Sequence, residues 1–315
     1  MPIKYTAPDL TVLPLASTFA RYARTEVFWH SSKSTVLLGY NSRQVVTLDL
    51  KTAPHVLIAG TTGSGKSVMM HSMICSLLAK NTPSTAQLVF IDPKMIEYAV
   101  YDSMPEMQLY RHCITETDEA IAALKDLCDL MDNRYRTMKA KHQKAPDGPS
   151  VYVFVDELAD LIYADRSCER YLVRLAQKAR SADIHLILAT QQPTTQTIPS
   201  ILKANMPTRL SLRVAQGSDS RVILDHSGAE LLKGKGDAII KYGSSVDEVR
   251  FQGAWLSDED REVFITSHKT DRNTADKAVE WIESKDRRWS KHTCAIGVIT
   301  LCFWWILFGI ILICG

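Results

Sequence analysis

What the chain lacks narrows its chemistry first. Its 315 residues carry no surplus of one charge, with 37 Lys and Arg against 35 Asp and Glu, so composition gives no global sign of nucleic-acid affinity. A basic channel inside a neutral exterior is compatible with that balance, which therefore neither supports nor excludes DNA. No two of the seven cysteines have the spacing of a zinc site or a redox CxxC: Cys75, Cys113, Cys128 and Cys168 are scattered, and Cys294, Cys302 and Cys314 fall in an apolar tail. A reduced, cytosolic setting is expected for the globular part. The opening MPIKYTAPDLTVLPL has no apolar core followed by a small-residue cleavage site, so no secretory signal is read. No internal repeat is present. The 46% hydrophobic and 23% charged content is that of a folded chain, and the length suits one dominant α/β domain with attachments.

Against these absences stands one long apolar run. Residues 293–315, TCAIGVITLCFWWILFGIILICG, are 23 residues without a charge. As a helix they would span roughly 34 Å, enough to cross a bilayer, although a buried core helix or an oligomer contact would also absorb such a run. Arg287, Arg288 and Lys291 precede it on one side only, which places the preceding domain on the cytoplasmic face. The expectation is a single-pass tail anchor over residues 292–315, in a cellular membrane or, for a viral protein, the virion membrane.

Before the tail, residues 1–50 hold STVLLGYNSRQVVTLDL, whose β-branched alternation around a YNSR turn predicts a hairpin in a small accessory β layer. Residues 51–255 alternate strand-like apolar runs (HVLIAG, LVFIDP, VYVFVDE, IHLILATQ, RLSLRVA, DAIIKY) with helical patterns. Continuous Val, Ile and Leu runs predict a mostly parallel sheet covered on both faces, hence an α/β fold. Ile121, Leu124, Leu127, Met131 and Tyr135 recur at helical spacing and predict an amphipathic helix. Residues 256–291 are polar and read as a linker or short helices.

The spacing G-x-x-x-x-G-K-S is met by Gly60, Gly65, Lys66 and Ser67 within GTTGSGKS, between the strand HVLIA and the helical run SVMMHSMICSLLA. That context is what a phosphate-binding loop requires. Glycines 60, 63 and 65 let successive N–H groups turn toward phosphates at a helix N-terminus, so Gly60, Thr61, Thr62, Gly63, Ser64, Gly65, Lys66, Ser67 and Val68 are the candidate ATP contacts. Lys66 is expected at the β and γ phosphates and Ser67 on Mg²⁺. The strand VYVFV delivers Asp156, a candidate for orienting the metal, and Glu157, a candidate for activating water. Adjacent carboxylates there would also serve as surface charge or a helix cap. IHLILATQQP ends with Thr190 and Gln191, whose amide is placed to sense the γ-phosphate or hold the water.

Taken in order, HVLIAGTTGSGKSV, FIDPKMIEYAVYDSMP, VFVDELADL, RLAQKARSADIHLILATQQP, ILKANMPTRLSLRV and DSRVILDHSGAELLKGKGDAI resemble the motor domain of FtsK/SpoIIIE DNA translocases, over residues of about 35 to 255. The resemblance implies a RecA-like P-loop NTPase fold, a homo-hexameric ring, ATP hydrolysed at subunit interfaces and double-stranded DNA threaded through the centre. It implies that Arg180 is the arginine finger that enters the neighbour's site, although a cation near a helix end would also suit the helix dipole. Asp92 and Lys94 match a family motif beside the phosphates. Lys203 and Arg221 match basic residues of channel-facing loops. Gln192 and Gly217 stand where members commonly carry Arg and Lys, so DNA binding weaker or less salt-sensitive than in a typical member is expected. The N-terminal membrane spans and C-terminal winged-helix module of cell-division translocases are not seen, which points toward packaging of a viral genome or transfer of a mobile element. A secretion ATPase moving polypeptide stays open as a rival, and Lys203 and Arg221 favour DNA over it. Against a nucleotide-binding switch stand Glu157 and Arg180, which a switch does not need.

Overall fold

In the computed structural model of the protein, which describes residues 18, 19, 28, 30–243 and 248–269, the apolar runs become strands of one nine-stranded sheet. The strands are β1 (Thr35–Tyr40), β2 (Val45–Asp49), β3 (His55–Ala59), β4 (Ala86–Ile91), β5 (Ser150–Val155), β6 (Ile184–Thr190), β7 (Thr208–Leu212), β8 (Asp237–Lys241) and β9 (Glu248–Gly253), in the order β2-β1-β9-β8-β7-β3-β6-β5-β4. The block β7-β3-β6-β5-β4 is parallel. From β7 outward, β8, β9, β1 and β2 all pair antiparallel. The sheet is therefore mixed, not mostly parallel. Buried apolar strands read alike in either direction, and only antiparallel neighbours accept connections as short as those joining β1 to β2 and β8 to β9. The predicted N-terminal hairpin forms as β1 and β2, yet it is no separate layer: β1 pairs with β9 and extends the common sheet. Strand β9, EVRFQG, is an element the sequence pattern does not announce.

Helices cover both faces: α1 (Lys66–Lys80), α2 (Thr117–Lys141), α3 (Leu158–Ala164), α4 (Ser167–Lys178), α5 (Ser200–Ala204), α6 (Gly217–Leu224) and α7 (Asp258–Lys269). Side chains alternate across each strand, so one strand feeds two cores. Val151, Val153 and Val155 of β5 pack with Leu124, Leu127 and Met131 of α2 and Leu172 and Leu175 of α4. Tyr152 and Phe154 point the other way, into the cluster with Met70, Met73, Ile74 and Leu77 of α1. Each such aliphatic burial contributes about 1.5 to 3 kcal/mol. Helix α2 begins with Asp118 and Glu119, ends with Lys139 and Lys141, and stops at His142 in the left-handed conformation, so its charges oppose its dipole at both ends. Ser72 of α1 donates to Leu37 O at 2.9 Å and Leu37 N–H donates to Ser76 Oγ at 3.0 Å, fastening the hairpin to the helix that follows the phosphate loop.

The polar stretch after residue 256 opens with α7, whose Ile265 is buried in the α1 core. Among the described residues no helix is long and apolar enough to cross a membrane. The run predicted as the anchor, residues 293–315, lies outside the described residues, as do residues 1–17.

Candidate nucleotide site

Strand β3 stops at Ala59, the loop Gly60–Gly65 follows, and α1 begins at Lys66. Backbone bonds hold the loop from two sides: Gly60 N–H donates to Thr190 O at 3.2 Å and Thr61 N–H to Arg213 O at 2.9 Å. A second glycine loop packs against it, with Gly236 N–H donating to Ser64 O at 2.7 Å. Gly65 has φ 100°, and a Cβ there would stand 2.6 Å from Gly236 N. As N-cap, Gly65 offers α1 no side-chain cap, which leaves the first-turn N–H groups for an anion. A cavity of about 490 Å³ opens here, lined by Thr61, Thr62, Gly63, Gly65 and Lys66 through Val68, with Glu97, Gln191, Lys235 and Trp255. Gly60 and Ser64 shape the loop from behind, and the Ser64 hydroxyl is buried without a hydrogen-bond partner. A triphosphate fits this cradle.

Lys66 is buried, and its Nζ donates to Asp156 O at 2.7 Å and to Asp156 Oδ1 at 2.9 Å. The loop lysine and the β5 aspartate are thus in direct contact. The Ser67 hydroxyl donates to Glu97 Oε1 at 2.8 Å, a carboxylate the sequence reading did not single out. Ser67, Asp156 and Glu97 offer oxygen only, which suits a hard cation such as Mg²⁺. Among the described residues no group of three or more His, Cys, Asp or Glu could hold a metal ion. A magnesium ion here would complete its shell with phosphate and water, as that ion usually does.

The other carboxylate is caged. Glu157 Oε1 accepts from Thr190 Oγ1 at 2.6 Å, from Gln191 N–H at 3.1 Å and from Ala159 N–H at 3.4 Å. Its Oε2 accepts from Gln191 N–H at 3.0 Å and lies 3.9 Å from Lys94 Nζ. Glu157 is therefore also the N-cap of α3, and Oε2 is its less engaged oxygen. Gln191 turns its side chain to the phosphate loop, where Oε1 accepts from Thr62 Oγ1 at 3.0 Å. Asp92 works on the backbone: its carboxylate accepts from the N–H groups of Lys94, Ile96, Glu97 and Tyr98, fixing the loop that carries Glu97.

Arg180 is not in this group. It is exposed in the 3-10 turn Ala179–Ala182, just before β6, at the edge of the sheet where the parallel strands begin. The phosphate loop leaves the opposite edge, a β3 length of about 17 Å away. Arg180 instead borders a cavity of about 710 Å³ with Lys33, Lys51 and Lys144. The buried His55 beside it is held down to about 3, by desolvation first and then by the charges of His185 and Arg180. Arg134 fixes the turn by donating to Ala182 O and Pro149 O, both at 2.6 Å.

The two residues assigned to DNA also lie apart from the phosphate loop. Lys203, on α5, has its Nζ 2.8 Å from Asp225 Oδ1. The other oxygen of Asp225 takes Arg209 Nη1 at 2.5 Å and Lys241 Nζ at 3.1 Å. Partial burial, which would raise the Asp225 pKa, is outweighed by the hydrogen bonds from Lys203, Lys241 and Arg209, and the carboxyl is held well below its ordinary range. Arg221 is exposed on α6, the helix that Gly217 opens.

The sequence profile of the FtsK/SpoIIIE family matches residues 19–148 and 137–195. The DNA translocase FtsK of Lactococcus lactis subsp. cremoris is 41% identical over 240 residues, covering 70% of this chain and 32% of its own. The DNA translocase FtsK of Campylobacter jejuni subsp. jejuni is 41% identical over 259 residues, covering 77% and 27%. The chain thus spans about a third or less of these relatives' length. Among solved structures, the pCW3 conjugation coupling protein TcpA, in monomer form with ATPγS, superposes with a TM-score of 0.67 at 25% identity over 78% of this chain and 73% of its own. The cytoplasmic domain of the Thermomonospora curvata type VII secretion ATPase EccC shares the fold, with a TM-score of 0.66 at 21% identity over 80% and 33%.

Proposed function

The chain belongs to the FtsK/SpoIIIE family, and from that premise we propose that it is an ATP-driven translocase of double-stranded DNA, working as a homo-hexameric ring held at a membrane by residues 293–315. The observation that carries the reading is that Lys66, Ser67 and Gln191 line one cavity at the ends of β3 and β6, with Asp156 bound to Lys66 and Glu157 bound to Gln191 directly behind them. In this reading Lys66 and the loop N–H groups bind the triphosphate, and Ser67 and Asp156 hold Mg²⁺, which supplies charge neutralisation at the transferring phosphoryl group. Glu157 takes the proton of the attacking water at Oε2, while Gln191 joins that carboxylate to the phosphate loop. Arg180, too far from its own chain's site, completes a neighbour's.

DNA as cargo rests on the names of the relatives, DNA translocases and a conjugation coupling protein. The uncharged tail fits movement of DNA into or across a membrane-bounded compartment, as in packaging a viral genome or transferring a mobile element. The test is ATP hydrolysis by the full chain in detergent, with and without duplex DNA and with Lys66→Ala as the blank, together with displacement of a triplex-forming strand. Hydrolysis stimulated by duplex and coupled to displacement is expected. Hydrolysis indifferent to DNA would overturn the DNA reading in favour of polypeptide cargo.

A further inference from the structure

Glu97 reaches into the nucleotide cavity on a loop fixed from two directions. From β4, the Asp92 carboxylate takes the N–H groups of residues 94, 96, 97 and 98, including that of Glu97 itself at 2.8 Å. From α1, two residues one turn apart engage the two carboxylate oxygens: Ser67 donates to Oε1 at 2.8 Å, and His71 Nε2 stands 3.4 Å from Oε2. His71 Nδ1 meets Tyr101 OH at 2.8 Å. Because a carboxylate only accepts, Nε2 carries the proton and Nδ1 accepts from the tyrosine. Both carboxylate oxygens are thus engaged from α1, and the carboxylate is fixed at the cavity wall beside the first turn of that helix. The carboxylate remains 28% exposed, on the side of the cavity.

A carboxylate beside a triphosphate cradle repels the ligand the cradle is built for. Like charges at close range disfavour each other by more inside a cleft than in water. A divalent cation between them reverses the sign, and Ser67, the hydroxyl Glu97 touches, is the residue assigned to that cation. We propose that Glu97 belongs to the divalent-cation subsite, positioning the Ser67 hydroxyl and facing the hydrated cation, so that the site accepts Mg·ATP and disfavours the metal-free nucleotide. This rests on reading the cavity as the ATP site. Asp92, His71 and Tyr101 are then positioning residues that act through Glu97.

The test measures binding, not turnover. The affinity of the full chain in detergent for a fluorescent ATP analogue is compared in excess Mg²⁺ and in EDTA, and the ratio of the two dissociation constants is the metal coupling. Glu97→Gln keeps the size and an acceptor for Ser67 while removing the charge. It is expected to tighten binding in EDTA, weaken it in Mg²⁺ and lower the coupling about tenfold or more, the range found when outer-shell partners of a metal are lost. If both affinities fall by one common factor, Glu97 is only a structural brace and the proposal is overturned. Should Glu97→Gln not fold, Glu97→Asp retracts the charge by one methylene and is expected to lower the coupling severalfold, and an unchanged ratio overturns the proposal equally. A wild-type chain that binds the analogue in neither condition would overturn the ATP reading itself, a result distinct from an unchanged coupling.

Discussion

The Thr62 hydroxyl donates to Gln191 Oε1 across 3.0 Å, and the N–H of the same glutamine donates to both oxygens of Glu157. One residue thus links the loop that would hold the γ-phosphate to the carboxylate that would activate water. A phosphate entering the cradle would compete for Thr62 and release the Gln191 side chain. Gln191→Ala is expected to leave ATP binding within a few-fold of wild type and to slow hydrolysis by about 100-fold, the usual scale for one positioned transition-state group. Filter binding beside steady-state hydrolysis checks it. Equal losses in both would mean that the bond only shapes the loop.

Gly65 carries a different constraint. Its φ of 100° is unfavourable for any side chain, and a methyl group would press on Gly236 N at 2.6 Å. Gly236 N is backbone and a Cβ is fixed by the Gly65 backbone, so neither can swing away. Gly65→Ala is expected to separate the two glycine loops, abolish nucleotide binding and lower stability by about 1 to 2 kcal/mol. A melting curve with and without ATP reads both effects, since only the wild type should gain stability from the ligand.

The contrast between these residues and Glu97 shows what the sequence can carry. Gly60 to Ser67 is legible because the phosphate loop is local: strand, turn and helix N-terminus follow one another within a dozen residues. Asp156 and Glu157 are legible because a strand end is where ligands of parallel sheets sit. Glu97 stands 30 residues from Ser67, and its position depends on how Asp92 folds the intervening loop. Strand direction is likewise non-local. Ile239 and Ile240 of β8 look like any buried strand pair, and only their register against Ser211 and Leu210 makes them antiparallel. Strand β9 escapes notice because only Val249 and Phe251 are apolar in its short alternation with Arg250 and Gln252, the first of which is paired with Asp237 at 2.6 Å.

Arg180 and Lys66 sit at opposite edges of the sheet, which makes the finger assignment testable without a structure of the assembly. Arg180→Ala is expected to bind ATP normally and hydrolyse almost none, and Lys66→Ala to do neither. Mixed before assembly, the two inactive variants create interfaces that pair an intact Lys66 with an intact Arg180. Partial recovery of hydrolysis on mixing is expected. Full activity of Arg180→Ala alone would remove the finger from the mechanism.

His55 lies beside that arginine, buried, with Nδ1 accepting from Leu186 N–H at 3.2 Å and Nε2 without a partner. Its pKa is lowered to about 3 in the folded chain, while the unfolded chain titrates near the ordinary 6.5. Between those values the unfolded state binds a proton that the folded state refuses, so stability falls as pH drops below 6.5. At pH 5.5 the loss from this group is about 1.4 kcal/mol relative to pH 7.5. His55→Asn keeps an acceptor for Leu186 and removes the titration. Between pH 7.5 and 5.5 its melting temperature should fall about 4 °C less than that of the wild type. Parallel curves would mean that His55 takes its proton without unfolding.

Asp225 draws Lys203, Arg209 and Lys241 onto one carboxylate, so the lysine assigned to DNA is neutralised within its own chain. A DNA phosphate that takes Lys203 must displace that carboxylate, which weakens the contact and lowers the number of phosphates the surface neutralises. Together with Gln192 and Gly217, this predicts a shallow dependence of duplex affinity on salt. Asp225→Asn releases up to three cations while keeping a hydrogen-bond acceptor. Each phosphate newly neutralised should steepen the slope of log affinity against log salt by about 0.9. A steeper slope with tighter binding at low salt, read by anisotropy on a labelled duplex, is the expected result. If the slope is unchanged while Lys203→Ala also has no effect, this face does not meet DNA, and the phosphate contacts must be sought at Arg221 and the remaining loops.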